Sequence, residues 1–254
     1  TTEIYTLSLH DALPILYSIN LPFWLAAFCS AVPLVFIQMF VRRVSVAQSS
    51  ENSVAWSPSV LLRDRALRWF TLSGLLASFV AGSFASCIAQ YVMSIADGDV
   101  AEKVVAVVLP VNAAVVVTLQ YGLGSKLTAK NLRPLMAFGT VCFVLGLGGF
   151  MFSGDNLWFW GASAAVFTLG EVIYAPGEYM LIDNIAPPGM KASYFSAQAL
   201  GWLGAAMNPL LTGIILTTLP AWTLFVIMMV TIVLAWLMML RGMQAKPLGV
   251  LQAS

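Results

Sequence analysis

LWFWGASAAVFTLGEVIYAPGEYMLIDNIAPPGMK, Leu157 to Lys191, is the stretch on which the fold turns. From Leu157 to about Tyr179 it is an apolar run long enough to cross a bilayer, which takes about 20 mostly apolar residues. One acid, Glu171, interrupts it well inside. DNIAPPGMK, Asp183 to Lys191, then reads as a polar turn. Working outward, six more apolar runs appear. Upstream lie Leu21 to Val41, Trp69 to Ile95, Val104 to Tyr121 and Pro134 to Phe152; downstream lie Ala192 to Leu219 and Pro220 to Leu240. The spacers are short and polar, among them ADGDVAEK (Ala96 to Lys103) and the basic GSKLTAKNLRP (Gly124 to Pro134). Seven transmembrane helices of an all-α integral membrane protein are predicted.

Composition agrees. Of 254 residues, 60% are hydrophobic and only 9% charged, against roughly 25% charged in soluble domains. A soluble domain of this size could not hide so much apolar surface. The net charge of +1 gives no basic or acidic excess that would call for nucleic acid. The three cysteines, Cys29, Cys87 and Cys142, sit inside apolar runs without metal-ligand spacing and read as small buried hydrophobes.

Charge sorts the loops. With Arg42 and Arg43 placed in the cytoplasm, Arg63, Arg65, Arg68, Lys126, Lys130, Arg133, Lys191, Arg241 and Lys246 fall on the same side, and only Lys103 lies outside. This positive-inside pattern predicts a first helix running outside to inside and a cytoplasmic C-terminus. Trp24, Trp69, Trp158, Trp160 and Trp222 lie near predicted helix ends, as an interfacial aromatic belt.

The N-terminus is of another kind. TTEIYTLSLHDALPI, residues 1–15, is polar and fits no signal or anchor, since neither Lys nor Arg precedes Arg42. It resembles the in-frame translation of a common sequencing adapter. An artefact is therefore expected over 1–15, which takes the single histidine, His10, out of consideration.

One helix, a polar linker of about 25 residues and six closely spaced helices resemble helices six to twelve of a major facilitator superfamily transporter. RDRALRWFTLSG (Arg63 to Gly74) is similar to that family's lead into helix seven. Asn112 and Gln120 in PVNAAVVVTLQYGL resemble a recurring spacing of helix eight. Leu169 to Gly213 is similar to the helix ten to eleven hairpin of bacterial drug-efflux-like members. The loop after helix eight departs from the family's acidic and arginine-rich signature, because GLGSKLTAKNLRP holds no acid. The resemblance implies this organisation: 16–41, last helix of an N-terminal bundle; 42–66, cytoplasmic central linker; 67–241, a six-helix C-terminal bundle; 242–254, cytoplasmic tail. It further implies a multi-pass protein of the bacterial inner membrane. Such a protein exports small amphiphilic solutes or drugs by alternating access, driven by the proton gradient and without a bound cofactor. Its partners are the bilayer, the solute and the rest of the N-terminal half. Uptake of a sugar, peptide or nucleoside by the same fold is the alternative.

An ionisable side chain at a helix centre costs about 2.5–3.5 kcal/mol on insertion scales, which makes it a functional hypothesis. Glu171 is the only acid well inside a run, roughly 5 Å from the midplane at 1.5 Å per residue. It could exchange a proton or meet a cationic substrate; it could also only fix packing. Asn112, Gln120 and Tyr174 join it as proton-coupling or substrate candidates, with Gln90, Tyr91 and Gln198 weaker. Glu178 follows on nearly the same face and is a gating candidate through Lys191 or Arg133. Pro176 and Gly177 between the two acids should loosen the helix. Asn208 and Pro209 would kink the sixth run at an outer gate. Gly201, Gly204, Ala205 and Ala206 read as packing.

No catalytic or metal constellation appears, and no enzyme is expected. A seven-helix membrane receptor is the alternative of another class, of which a photoreceptor would want a mid-membrane Lys; a membrane enzyme would want a partner for Glu171 at one depth. LGLGGF (Leu145 to Phe150) superficially looks like a dinucleotide fingerprint, yet it lies within an apolar span with no preceding strand, so helix packing explains it better.

Overall fold

Each apolar run folds as helix, and the polar residues between them supply the caps. The structure, a computed structural model, describes residues 21–40, 62–82 and 84–245. In order they form α1 (Leu21–Phe40), α2 (Arg65–Ala81), α3 (Phe84–Ile95), α4 (Gly98–Gly124), α5 (Leu132–Phe152), α6 (Leu157–Ile185) and α7 (Lys191–Gln198). A 3-10 turn, Ala199–Gly201, leads to α8 (Trp202–Thr218), and α9 (Thr223–Gln244) follows. The chain divides into two units, 1–50 and 51–254, the first represented by α1. His10, residues 1–15, most of the 42–66 stretch and Lys246 lie outside the described residues, as does the side chain of Cys29.

Caps set the helix starts. Asp64 accepts from the amides of Ala66 and Leu67 at 2.8 and 3.1 Å and begins α2. Asn156 does the same for Trp158 and Phe159, beginning α6. The two tight turns that flank α6 each use a glycine at positive φ, Gly154 (+48°) and Gly189 (+80°), where a side chain would be strained.

Several boundaries differ from the sequence reading. ADGDVAEK is largely helix: α4 starts at Gly98, with Asp97 in extended conformation ahead of it and Asp99 in its first turn, where the helix dipole favours an acid. α6 continues to Ile185, so Asp183 belongs to the helix. The Trp69 to Ile95 run is two helices whose axes differ by 47°. The run after Lys191 stays one helical span to Thr218, tightening to a 3-10 turn at Ala199–Gly201.

Among the described residues five segments are long and apolar enough to span a membrane, namely α4, α5, α6, α7 with α8, and α9. Counting the bent pair of α2 and α3 as one span gives six. Seven runs were expected; the remaining one is α1, a 20-residue helix apolar along its length.

Within the second unit, α5 packs along α6, α9 along α2 and α5, and α4 along α6. Aromatic rings fill the centre: Phe84 stacks on Phe167 at 4.6 Å, Phe150 on Trp160 at 5.5 Å, and Tyr91 meets Phe225 at 4.5 Å. Trp160 is therefore core and no part of an interfacial belt. Two positions along a helix turn it about 200° from Trp158, which is 91% exposed where Trp160 is 1%.

The LGLGGF run is a packing surface. A Cβ at Gly146 would fall on the Phe167 backbone and one at Gly149 on Ser163 Oγ, whereas Gly148 faces open space. Cys87 and Cys142 are free thiols, both buried. Basic helix ends gather at one end of the bundle: the Arg241 guanidinium lies 5.5 Å from the Trp69 ring centre, joining the end of α9 to the start of α2.

Candidate functional site

Where the α2/α3 break and the 3-10 turn between α7 and α8 face the middle of α6, a cavity of about 340 Å³ remains. α6 lends it Glu171, Tyr174 and Glu178; α5 lends Phe143; the end of α2 lends Ala77, Ser78 and Gly82. From the α7 side come Phe195, Gln198 and, just beyond the 3-10 turn, Trp202. No Lys or Arg is among its lining residues.

Glu171 sits at the junction of this cavity and a shallower recess bordered by Asn112, Phe84 and Leu109. The Asn112 amide donates to Glu171 Oε2 at 2.6 Å and to Thr168 Oγ1 at 2.9 Å. Thr168 in turn donates to the Ala164 carbonyl. Two sequence candidates from different helices, Asn112 of α4 and Glu171 of α6, thus meet directly.

Glu178 lies two turns further along α6 and opens on the same cavity. It does not reach the bases suggested for it. Lys191 pairs with Asp183 at 2.5 Å, and Glu178 Oε2 accepts from Gln198 Nε2 at 3.3 Å. The geometry explains the exchange of partners: α6 runs on to Ile185, so Asp183 is the acid that faces the turn leading to Lys191.

Tyr174 lines the cavity with its ring edge-on to Phe143, and its hydroxyl shares a 2.7 Å hydrogen bond with Thr140. Gln120 is exposed on α4 and is not among the residues lining the cavity. Pro176 and Gly177 leave α6 unbroken over 29 residues. A Cβ at Gly177 would strike Met136, so this glycine serves close contact with α5 and no loosening of the helix is seen.

Pro209 lies inside α8. Beside it, Asn208, fully buried, donates to the Phe79 carbonyl at 2.6 Å and so braces the last turns of α2 just before its break. Gly204 allows the close approach, because a Cβ there would land on the Leu75 carbonyl.

The sequence reading missed one pair. Tyr194 Oη donates to Asp64 Oδ2 at 2.7 Å, both residues being fully buried, so α7 is tied to the cap of α2. Asp64 stands in the charged lead RDRALR, where the ordinary expectation is a solvated side chain; nothing in the local sequence marks it as buried.

A bundle of apolar helices, with a helix break beside a cavity lined by two half-buried carboxyl groups, fits the architecture of a secondary transporter half. No protein-family model matches the chain, and no solved structure does. Among known proteins, it is 66% identical over 235 residues to the uncharacterized MFS-type transporter YdeE of Escherichia coli (strain K12), covering 92% of this chain and 60% of that protein. It is 29% identical over 178 residues to the uncharacterized MFS-type transporter YqjV of Bacillus subtilis (strain 168), 66% of this chain and 41% of that one. The chain belongs to the major facilitator superfamily, and it spans about 60% and 41% of the lengths of these two relatives.

Proposed function

We propose that this chain supplies the C-terminal bundle of a proton-coupled transporter that exports a small amphiphilic solute by alternating access across a bacterial inner membrane, its C-terminus in the cytoplasm. The observation that carries the reading is Glu171: a carboxyl group inside the apolar bundle, held by the Asn112 amide at 2.6 Å, and open to a cavity with aromatic walls and no basic lining residue. Such a group can exchange a proton without first breaking an ion pair. The groups that face it are Asn112, Thr168, Tyr174 and, along the cavity, Glu178. Alternating access needs two bundles rocking about a shared site, so the second half of the cavity comes from helices upstream of Arg65.

The test is flux in the full-length protein carrying this sequence. Replacing Glu171 by Gln keeps size and hydrogen bonding but removes the exchangeable proton, and coupled flux should fall about 100-fold, equivalent to ~2.7 kcal/mol. Flux with unchanged pH dependence in that variant would end the proposal. Direction is read in the same cells: export lowers the accumulation of an amphiphilic dye when the proton gradient is present, whereas uptake raises it.

A further inference from the structure

Glu178 and Gln198 form a pair whose hydrogen bonding does not balance. Gln198 gives one N–H to Glu178 Oε2 at 3.3 Å. Glu178 Oε1 and Gln198 Oε1 are both shielded from water, and neither has a partner among the described residues. Turning the amide over does not help, since a carboxylate and an amide together present three acceptor oxygens and only two donor hydrogens. Buried acceptors left without donors are costly. The pair occupies one wall of the cavity, with the rings of Tyr174, Tyr179, Phe195 and Trp202 around it. The nearest cation on α7, Lys191, is engaged by Asp183.

We infer that Glu178 and Gln198 are the head-group site for an organic cation that carries N–H donors: a protonated primary or secondary amine, an amidinium or a guanidinium. The charge answers two carboxyl groups in a cavity without a basic residue. The N–H bonds answer the two orphaned oxygens. The aromatic walls take the apolar body of the ligand, and cation–π contact favours its charge. A quaternary ammonium has charge and bulk but no N–H, so it leaves both oxygens as they are. Gln198 is the last residue of α7, directly before the 3-10 turn, which lets this wall shift as the head group enters. This assignment rests on the transporter reading and adds the class of solute to it.

A matched pair of ligands tests it. A naphthylethyl primary ammonium and its N,N,N-trimethyl analogue are titrated against the full-length protein in nanodiscs, reading quenching of Trp202 with W202F as the blank. The primary amine should bind at least 10-fold more tightly. Glu178→Gln should abolish that preference, the primary amine losing at least 10-fold more affinity than the trimethyl compound, whose remaining binding also shows that the variant is folded. Equal affinities in the unaltered protein, binding of neither compound, or a preference that survives in the Glu178→Gln variant would overturn the assignment. Proton-coupled flux that does not discriminate the two compounds defeats this inference and leaves the transporter standing. Discriminating binding without any coupled flux defeats the transporter reading instead.

Discussion

The two sides of the cavity are built differently. On one side α6 runs unbroken for 29 residues and is locked to α5 through glycines: Gly146 against Phe167, Gly149 against Ser163, Gly170 against Phe143 and the Gly139 carbonyl, Gly177 against Met136. On the other side the helix paths are irregular: α2 and α3 part after Gly82, and α7 passes into α8 through a 3-10 turn at Ala199–Gly201. These paths are held by discrete polar contacts, Tyr194 to Asp64 and Asn208 to the Phe79 carbonyl. Glu171 and Glu178 stand on the rigid side; Gln198, Phe195 and Trp202 stand on the irregular one. On the reading proposed above, Glu171 is a fixed proton site faced by an adjustable wall, which lets the ligand be released without displacing the group that exchanges the proton.

If that division is right, the rigid side should be broken by volume and the irregular side by loss of a single polar group. The largest effect belongs to Gly146→Ala. The new Cβ would lie 2.6–2.8 Å from Phe167 Cβ, Cα and N, and backbone cannot move aside as a flexible side chain can. Overpacking of this kind costs typically 1–3 kcal/mol. Thermal unfolding in detergent should show a clear drop, while Gly148→Ala, two positions on and facing open space, should leave the transition where it is. Equal behaviour of the two variants would mean that the α5/α6 contact is looser than the structure has it.

That contrast also shows how far the sequence can be read. LGLGGF announces close packing, but only the helix phase separates Gly146 and Gly149, which touch α6, from Gly148, which does not. Glu171 is legible because an acid in an apolar run stands out on cost alone, and Asn112 because its amide stands inside another apolar span. Glu178 is legible as an acid and not as to its partner: whether Asp183 or Glu178 meets Lys191 depends on where α6 ends, and helix ends are the weakest part of any local reading. The 3-10 turn at Ala199–Gly201 has no Pro to announce it. Asp64 and Tyr194 are 130 positions apart, each ordinary in its own surroundings, and only the fold makes the pair.

An intermediate effect is expected on the irregular side. Tyr194→Phe keeps the buried ring and removes the hydroxyl that joins α7 to the cap of α2. Stability should fall by about 1 kcal/mol, the usual net worth of such a bond, with a larger change in motion than in melting. A cysteine placed at Phe195, in a background without Cys29, Cys87 and Cys142, should react several-fold faster with a membrane-impermeant thiol reagent once Tyr194 is Phe. An unchanged rate would show that the Asp64 contact does not hold α7 in place.

The smallest effect tests the rigid side with the same tool. Thr168→Val removes one hydrogen-bond acceptor of Asn112 at nearly constant volume. Asn112 keeps Glu171 at 2.6 Å, and α6 keeps its glycine contacts with α5. Polar contacts between membrane helices average about 0.6 kcal/mol, so the melting transition should move by little and the pH dependence of flux should be retained. Should Thr168→Val disturb coupling as strongly as Glu171→Gln, the proton site would be a three-residue unit spanning α4 and α6. Its position would then be set by hydrogen bonds as much as by packing, and the difference between the two sides of the cavity would narrow to the irregular helix paths alone.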